Sequence, residues 1–554
     1  MKSILRSLPP AVSSAVVLGI LAVPLATILI LALTGDLSGL ERLLGNVLPT
    51  YAGNSLKLVA GTVVLAVLFG VPPAWVVVRY EFPTRRVLQW LLCLPLAMPA
   101  YLTAYLYTDL LDYAGPLQGL LRAVFGWHSA ADYWFPHIRT LEGACFVLAV
   151  CLYPYVFLMV RLAFLDLNRN MLDSARMLGR APGEVFRLVT LPLVRPALVV
   201  GCSLVAMETL GDFGTVYFFA VNTLTTGVYD SWLSLGDVHA AAQLSLSIMG
   251  FVALLVAMER FGRRRQRRHQ RSGGAPVPRL PIHGALPRTL VAWAWVLVVL
   301  GFLYPAGQLL FWSVTYFEQV QTHRFLEYVL NSLELAGLTA IVCVGVSLAL
   351  HWHARLTPGA VTKAPLIVGP LGYAVPGTVL ALGLLIPLSK GDHLINEAAA
   401  SLGLAEPGLL MTSGVFTLVV ALSIRFIAMP IGSLETALGS IPPSLEMASR
   451  TLGMNSWRTW LRVHMPLVRR GVFTALLFVF VESMKELNAS LLLRPFGFET
   501  LVTHVYAYTS DEQLEKAALP ALVLILTGLI PVVFLTYSML REGRSGPSVS
   551  KEGS

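Results

Sequence analysis

Charge is what this sequence has least of. Only 13% of its 554 residues are charged and 56% are hydrophobic, whereas a soluble chain carries roughly a quarter charged residues. That scarcity excludes an ordinary water-soluble domain and a disordered scaffold. Cysteine is equally sparse. The five present (Cys93, Cys145, Cys151, Cys202, Cys343) all fall in apolar stretches without Cys-x-x-Cys spacing. A disulfide framework is therefore excluded, and these residues read as small packing groups. No Gly-x4-Gly-Lys-Ser/Thr phosphate loop occurs, so the chain lacks the usual cradle for ATP. No nucleophile–histidine–acid set and no metal-spaced His/Cys cluster stands out either. The chain reads as non-catalytic, with no cofactor bound to it.

What it has in abundance is apolar runs of about 20 residues, long enough to cross a bilayer core of about 30 Å as helices. Twelve are expected, near 11–33, 55–78, 87–110, 143–163, 197–220, 240–258, 289–312, 329–350, 364–388, 409–431, 471–493 and 517–540. Helices are required because lipid offers the backbone no hydrogen-bond partner. The fold class is thus an all-α polytopic membrane protein. The first run follows Lys2 and Arg6, is long for a signal-peptide core and lacks a small-x-small cleavage site, so it reads as an anchor.

Net charge is +9, and its distribution is informative. With the N-terminus inside, 29 of the 40 Lys and Arg lie in segments facing the cytoplasm. This positive-inside bias places both termini in the cytoplasm. The run "RFGRRRQRRHQR" from Arg260 then serves as a topology determinant and lipid-headgroup contact, not a nucleic-acid site.

The chain is duplicated. "NSL" at 54–56 answers "NSL" at 331–333, and "AMPA" at 97–100 answers "AVPG" at 374–377, both offset by 277 residues. Arg176-x-Leu178-Gly179 answers Arg450-x-Leu452-Gly453, and Pro192-Leu-Val-Arg195 answers Pro466-Leu-Val-Arg469, both offset by 274. Residues 1–262 and 289–541 read as two tandem six-helix halves. Residues 263–288 read as a basic linker and 542–554 as a cytoplasmic tail. Both halves enter their first span from the same side, so the repeat is parallel and predicts a pseudo-twofold axis along the membrane normal.

The stretch "LDSARMLGRAPGEVFRLVTLPLV" (172–194) and its second copy lie between the fourth and fifth spans of their halves. Each reads as a helical turn stopped by a glycine at positive φ, a second short helix, and a Leu-Pro or Met-Pro break. Two such knobs suit docking onto a symmetric pair of soluble subunits. Here the chain resembles the permease subunits of binding-protein-dependent ABC importers. Their loop pattern is Glu-Ala-Ala, three residues, Gly, nine residues, a β-branched residue, one residue, Leu-Pro. Copy one has Asp173-Ser174-Ala175, Gly179, Val189 and Leu191-Pro192. Copy two has Met447-Ala448-Ser449, Gly453, Val463 and Met465-Pro466, with Glu446 one place early. The resemblance implies that Asp173, Ala175, Arg176, Gly179, Val189, Pro192 and Glu446, Ala448, Arg450, Gly453, Val463, Pro466 form two ATPase-coupling loops. It also implies a homodimeric ATPase partner that holds ATP and magnesium, and a periplasmic substrate-binding protein.

Intramembrane charges are costly and default to functional hypotheses. "METLGDFGT" carries Glu208 and Asp212; "VESMKELNA" carries Glu482, Lys485 and Glu486. Each i, i+4 acidic pair is expected on one helix face. Two readings stay open. In one, Glu208, Asp212, Glu482 and Glu486 flank the translocation path as transient hard-oxygen metal ligands, softened by Lys485. In the other, Lys485 pairs with a neighbouring glutamate and the acids satisfy internal hydrogen bonds. The tyrosines of "AMPAYLTAYLY" read as packing. Residues 208–232 and 482–512 look most like fused ferric-iron permeases, although "ETLGDFG" is shared with thiamine permeases. The resemblance implies ferric iron as cargo, with thiamine or another small cation as the alternative. A proton-coupled secondary carrier is a third reading.

Overall fold

The computed structural model describes residues 10–35, 45, 47–165, 167, 173–175, 177–266, 279–319, 322–357, 359–439 and 441–542. Among them, eight helices are long and apolar enough to cross a membrane. They include α1 (Pro10–Thr34), α2 (Leu48–Arg79), α3 (Leu141–Leu165), α4 (Leu191–Gly211), α5 (Val238–Gln266), α6 (Ala285–Thr315), α7 (Thr322–Leu356) and α8 (Gly377–Ser401). Two bent pairs occupy the third and tenth expected positions. Arg85–Ala97 meets Ala100–Phe125 at 98°, and Val415–Phe426 meets Ala428–Gly439 at 48°. Helices α9 (Met465–Lys485) and α10 (Ala518–Glu542) stand at the eleventh and twelfth. A two-residue parallel pairing, Tyr80–Glu81 with Leu280–Pro281, is the strand content among the described residues.

The duplication extends to individual bonds. Asn54 donates to the Asn222 carbonyl at 3.0 Å, and Asn331 to the Glu499 carbonyl at 2.9 Å. Ser55 accepts the Leu224 amide and Ser332 the Leu501 amide. The helices that follow open with matching threonine boxes, Thr223/Thr226 and Thr500/Thr503. "AMPA" and "AVPG" break their helices alike. Met98 has φ −88, ψ 122, and Val375 has φ −81, ψ 124. A residue before proline is driven from the α region into extended backbone, which ends the preceding turn.

The chain forms two compact units whose described parts cut across the sequence halves. One unit gathers Met1–Lys57, Leu210–Val256 and Gln319–Pro520; the other gathers Leu58–Thr209, Ala257–Glu318 and Ala521–Ser554. Each therefore takes the first span of the opposite repeat. In the first unit, α1 lies along α8 and Ala360–Val368. The backbones approach so closely that a Cβ on Gly383 would lie 2.6 Å from the Pro24 carbonyl oxygen. In the second unit, α6 lies against the 85–111 segment and α3. Tyr107 donates to the Leu300 carbonyl at 2.8 Å, inside a π turn over Val299–Leu303, and Tyr304 donates to the Leu106 carbonyl at 3.2 Å. Lipid is as apolar as these helices, so close packing and such interhelical hydrogen bonds hold each unit together internally. Tyr101, Tyr105 and Tyr107 are buried, in accord with the packing reading. The cysteines are free thiols, all but Cys202 buried.

Candidate functional site

The two glycine-turned loops are built alike. In copy one, Leu178 N donates to the Ser174 carbonyl and Arg180 N to that of Ala175. In copy two, Leu452 N donates to Ala448 and Met454 N to Ser449. The glycines between these bonds have φ +79 (Gly179) and +77 (Gly453). This left-handed closure satisfies the last carbonyls of the first helix and reverses the chain. Leu178 and Leu452, one residue before each glycine, are 83% and 77% exposed. An apolar residue at the same place on both loop tips is the kind of anchor a docking partner covers. Asp173, Ala175, Glu446 and Ala448 lie on helical backbone ahead of the glycines, while Arg176 lies outside the described residues.

The expected second break is absent. After Pro182–Val185, copy one passes through a π turn over Phe186–Thr190 straight into α4. Copy two passes from Ser456–Thr459 through Trp460–His464 into α9. Val189 and Val463 lie within these π turns, and Pro192 and Pro466 lie in the first turn of the long helices, so the prolines do not end a helix. A π turn shifts the bonding by one residue at the point where proline lacks its N–H, so the helix continues. Each loop has one bend, at its glycine.

The copies differ in their bracing. In copy one, Arg180 and Glu184 pair at 3.6 Å, and Glu184 receives the Ala181 amide. Copy two is tied to α7. Arg355, in the last turn of that helix, donates to the Leu438 carbonyl at 3.0 Å, lies 3.4 Å from a His464 ring nitrogen and 3.9 Å from Glu446. Trp352, one turn earlier, lies 5.1 Å from Trp460 and 5.8 Å from Trp457 between ring centres. Ser449 and Thr459 share a hydrogen bond of 2.9 Å between the two arms of the loop. Glu446, displaced by one place from the expected acidic position, thus faces α7. Sequence reasoning missed Arg355, Trp352 and His464. An arginine closing an apolar span looks like any other positive-inside residue, and its partners lie about 80 to 110 residues away.

The acidic pairs do not share helix faces. Helix α4 ends at Gly211 and α9 at Lys485, so Asp212 and Glu486 stand just past the ends. Asp212 accepts Thr215 N at 3.0 Å, Thr215 Oγ1 at 3.1 Å and Val216 N at 3.2 Å. Glu486 accepts Ala489 N at 3.0 Å and Ser490 N at 3.2 Å. Both carboxylates cap the short helix that follows, where free amides and the helix dipole favour an anion. A side chain on Gly377 would put its Cβ 2.5 Å from Glu486 Oε1, so the glycine of "AVPG" leaves room for the cap. Asn488 donates to the carbonyl of Gly211 at 2.8 Å, both residues lying in the first unit. Lys485 pairs with Glu482 at 2.9 Å, and Glu208 is half-buried on α4. Among the described residues, no three of His, Cys, Asp and Glu come together as a metal site. The geometry therefore gives Asp212, Glu482, Lys485 and Glu486 internal partners.

Removing a cap separates the two readings. Asp212→Ala or Glu486→Ala is expected to cost about 1 kcal/mol through the lost cap, lowering the thermal midpoint of the purified chain. Glu486→Gln, which keeps an acceptor, should unfold close to wild type and sustain transport. Lost uptake in Glu486→Gln at unchanged stability would instead mark the carboxylate as a substrate ligand.

A duplicated, helical, multi-pass membrane protein with paired loops of this kind defines a transport subunit. Residues 62–267 match the family model described as binding-protein-dependent transport system inner membrane component. The chain is 24% identical over 491 residues to a Fe(3+)-transport system permease protein of Haemophilus influenzae, covering 87% of this chain and 88% of that one. It is 30% identical over 211 residues to the molybdenum transport system permease protein of Escherichia coli, 37% of this chain and 89% of that one. It is also 29% identical over 207 residues to the sulfate transport system permease protein of Salmonella typhimurium, 36% of this chain and 72% of that one. The chain belongs to this family, the permeases of binding-protein-dependent ABC importers.

Proposed function

We propose that this permease moves ferric iron, delivered by a periplasmic binding protein, into the cytoplasm, driven by an ATPase dimer seated on the two glycine-turned loops. The observation that carries the cargo is the span of the resemblance. A ferric-type relative matches through both repeats, over 87% of the chain, while two other ferric permeases match over 40% and the shorter molybdenum and sulfate permeases over 37% and 36%. The coupling role rests on the equivalence of the loops, each presenting an exposed leucine beside a left-handed glycine. ATP binding would close the ATPase dimer, draw the loop tips together and switch the path between the repeats from inward- to outward-open. Both termini then lie in the cytoplasm, on the side of the loops. Docking by the binding protein would release iron into the opened path.

Uptake of radiolabelled Fe(III) tests this, in a strain lacking other high-affinity ferric importers and with or without the gene. Labelled thiamine, molybdate and sulfate run alongside. Loss of iron uptake alone is the expected result. Unchanged iron uptake with loss of another label would overturn the cargo and leave the importer architecture standing.

A further inference from the structure

Helix α7 carries Arg355 at the loop end and Arg324 near its start, 31 residues earlier, a separation of about 45 Å at 1.5 Å per residue. Beside Arg324 opens a recess of about 520 Å³ lined by Glu327, Tyr328, Arg494, Phe496 and Glu499 among others. It lies at the end of α7 remote from the coupling loop, which is the side from which an importer receives cargo. Its groups are held in place. Arg494 donates to Glu499 Oε1 at 3.0 Å, and Glu499 Oε2 lies 3.7 Å from His504 Nδ1. The Tyr328 and His504 rings lie 4.3 Å apart. Phe496 stands fully exposed at the mouth, on a loop turned by Gly497 at φ +78. Burial holds His504 below the ordinary imidazole range, with Glu499 pulling the other way.

The charged set belongs to one repeat only. At the offset of 277 residues, the first copy has Val47, Thr50, Tyr51, Phe219, Asn222 and Gly227 in place of Arg324, Glu327, Tyr328, Phe496, Glu499 and His504, and Arg494 falls in the three residues that the second copy adds between the 274 and 277 registers. The tyrosine and the phenylalanine persist, and no ionisable group beyond the tyrosine does. The first copy keeps the same Asn and Ser bonds without them, so the shared scaffold does not require these charges.

Ferric ion is small, hard and highly charged, and stays dissolved at neutral pH only when anionic oxygens surround it. No cluster of three His, Cys, Asp or Glu among the described residues offers it such a shell. A ferric chelate has the mixed polarity of this recess. Its outer carboxylates suit guanidinium forks, which bind them through paired hydrogen bonds, and its metal face suits phenol and carboxylate oxygens. The volume is that of a small-ligand pocket. Resting on the ferric reading above, we infer that the recess receives iron as a ferric hydroxycarboxylate chelate, with Arg324 and Arg494 gripping the chelator's carboxylates.

Equilibrium binding of radiolabelled ferric citrate to the permease–ATPase complex in nanodiscs, without binding protein, tests this. Citrate alone, molybdate and sulfate are the comparison probes. Saturable ferric citrate binding is expected, weakened at least tenfold in Arg324→Gln and in the Arg324→Gln/Arg494→Gln pair, with Arg494→Lys intermediate. Arg324→Gln leaves the Arg494–Glu499 pair intact, so its loss of binding is not a loss of fold; equal thermal midpoints check this. Absent binding, or binding indifferent to both arginines, overturns the inference, and gene-dependent iron uptake would leave the ferric reading intact. Arginine-dependent binding of molybdate or sulfate, with none of ferric citrate, overturns both.

Discussion

Replacing Gly179 and Gly453 together by valine is expected to abolish uptake, by more than tenfold, while the protein still reaches the membrane. Both glycines sit in the left-handed region, at φ +79 and +77, and nothing lies within 4 Å of an added Cβ at either. The effect therefore comes from backbone conformation rather than from a clash. A β-branched residue is disfavoured there by about 1–3 kcal/mol, enough to redistribute a short exposed loop. The redistributed loop no longer offers Leu178 or Leu452 at its tip. Asparagine tolerates the left-handed region, so the matched Gly→Asn pair should keep most of the transport. The measurement is labelled-substrate uptake in proteoliposomes together with ATP hydrolysis. Continued hydrolysis without uptake is the signature of uncoupling. Normal uptake by the valine pair would remove the loops from the coupling path.

Arg355→Ala is expected to give the second large effect, again as loss of transport relative to hydrolysis. The guanidinium joins the Leu438 carbonyl, the His464 ring and Glu446, so it ties α7 to the loop and to the start of α9. Removing it takes one ion-pair partner from Glu446 and the side-chain donor from the Leu438 carbonyl, which keeps the Ile441 amide, so the fold should survive while the tie between α7 and the loop is lost. Copy one has Val78 at the matching position, so a comparable truncation there, Val78→Ala, should change little. The contrast makes the test specific: if movement of the second loop passes into α7, only the Arg355 variant uncouples, since the first loop is braced by its own Arg180–Glu184 pair. Arg355→Lys should restore part of the coupling, because it keeps the charge but not the forked geometry. Equal uptake and hydrolysis in Arg355→Ala would show that the tie is only structural.

Periodicity and composition determined much of this protein. Apolar run length set the helices, because unsatisfied backbone groups are intolerable in lipid. The repeat at offsets of 274 and 277 located both loops and their left-handed glycines, because only glycine takes that conformation freely. The same offsets paired Asp212 with Glu486, and their shared surroundings bear the pairing out. Other features were decided only by tertiary structure. The i, i+4 spacing placed Asp212 and Glu486 on continuing helices, but free amides of the next helix make a better partner for an anion than a helix face in lipid. The prolines at 192 and 466 read as stops, yet a π turn before each absorbs the missing hydrogen bond. The exchange of α1 and α6 between the compact units has no sequence signature. In lipid, helix partners are chosen by close backbone approach, as at Gly383 against Pro24, and not by hydrophobicity, which every span shares. Arg355, Glu446 and His464 converge for the same reason: contacts across some 90 to 110 residues are made by packing, which no local pattern encodes.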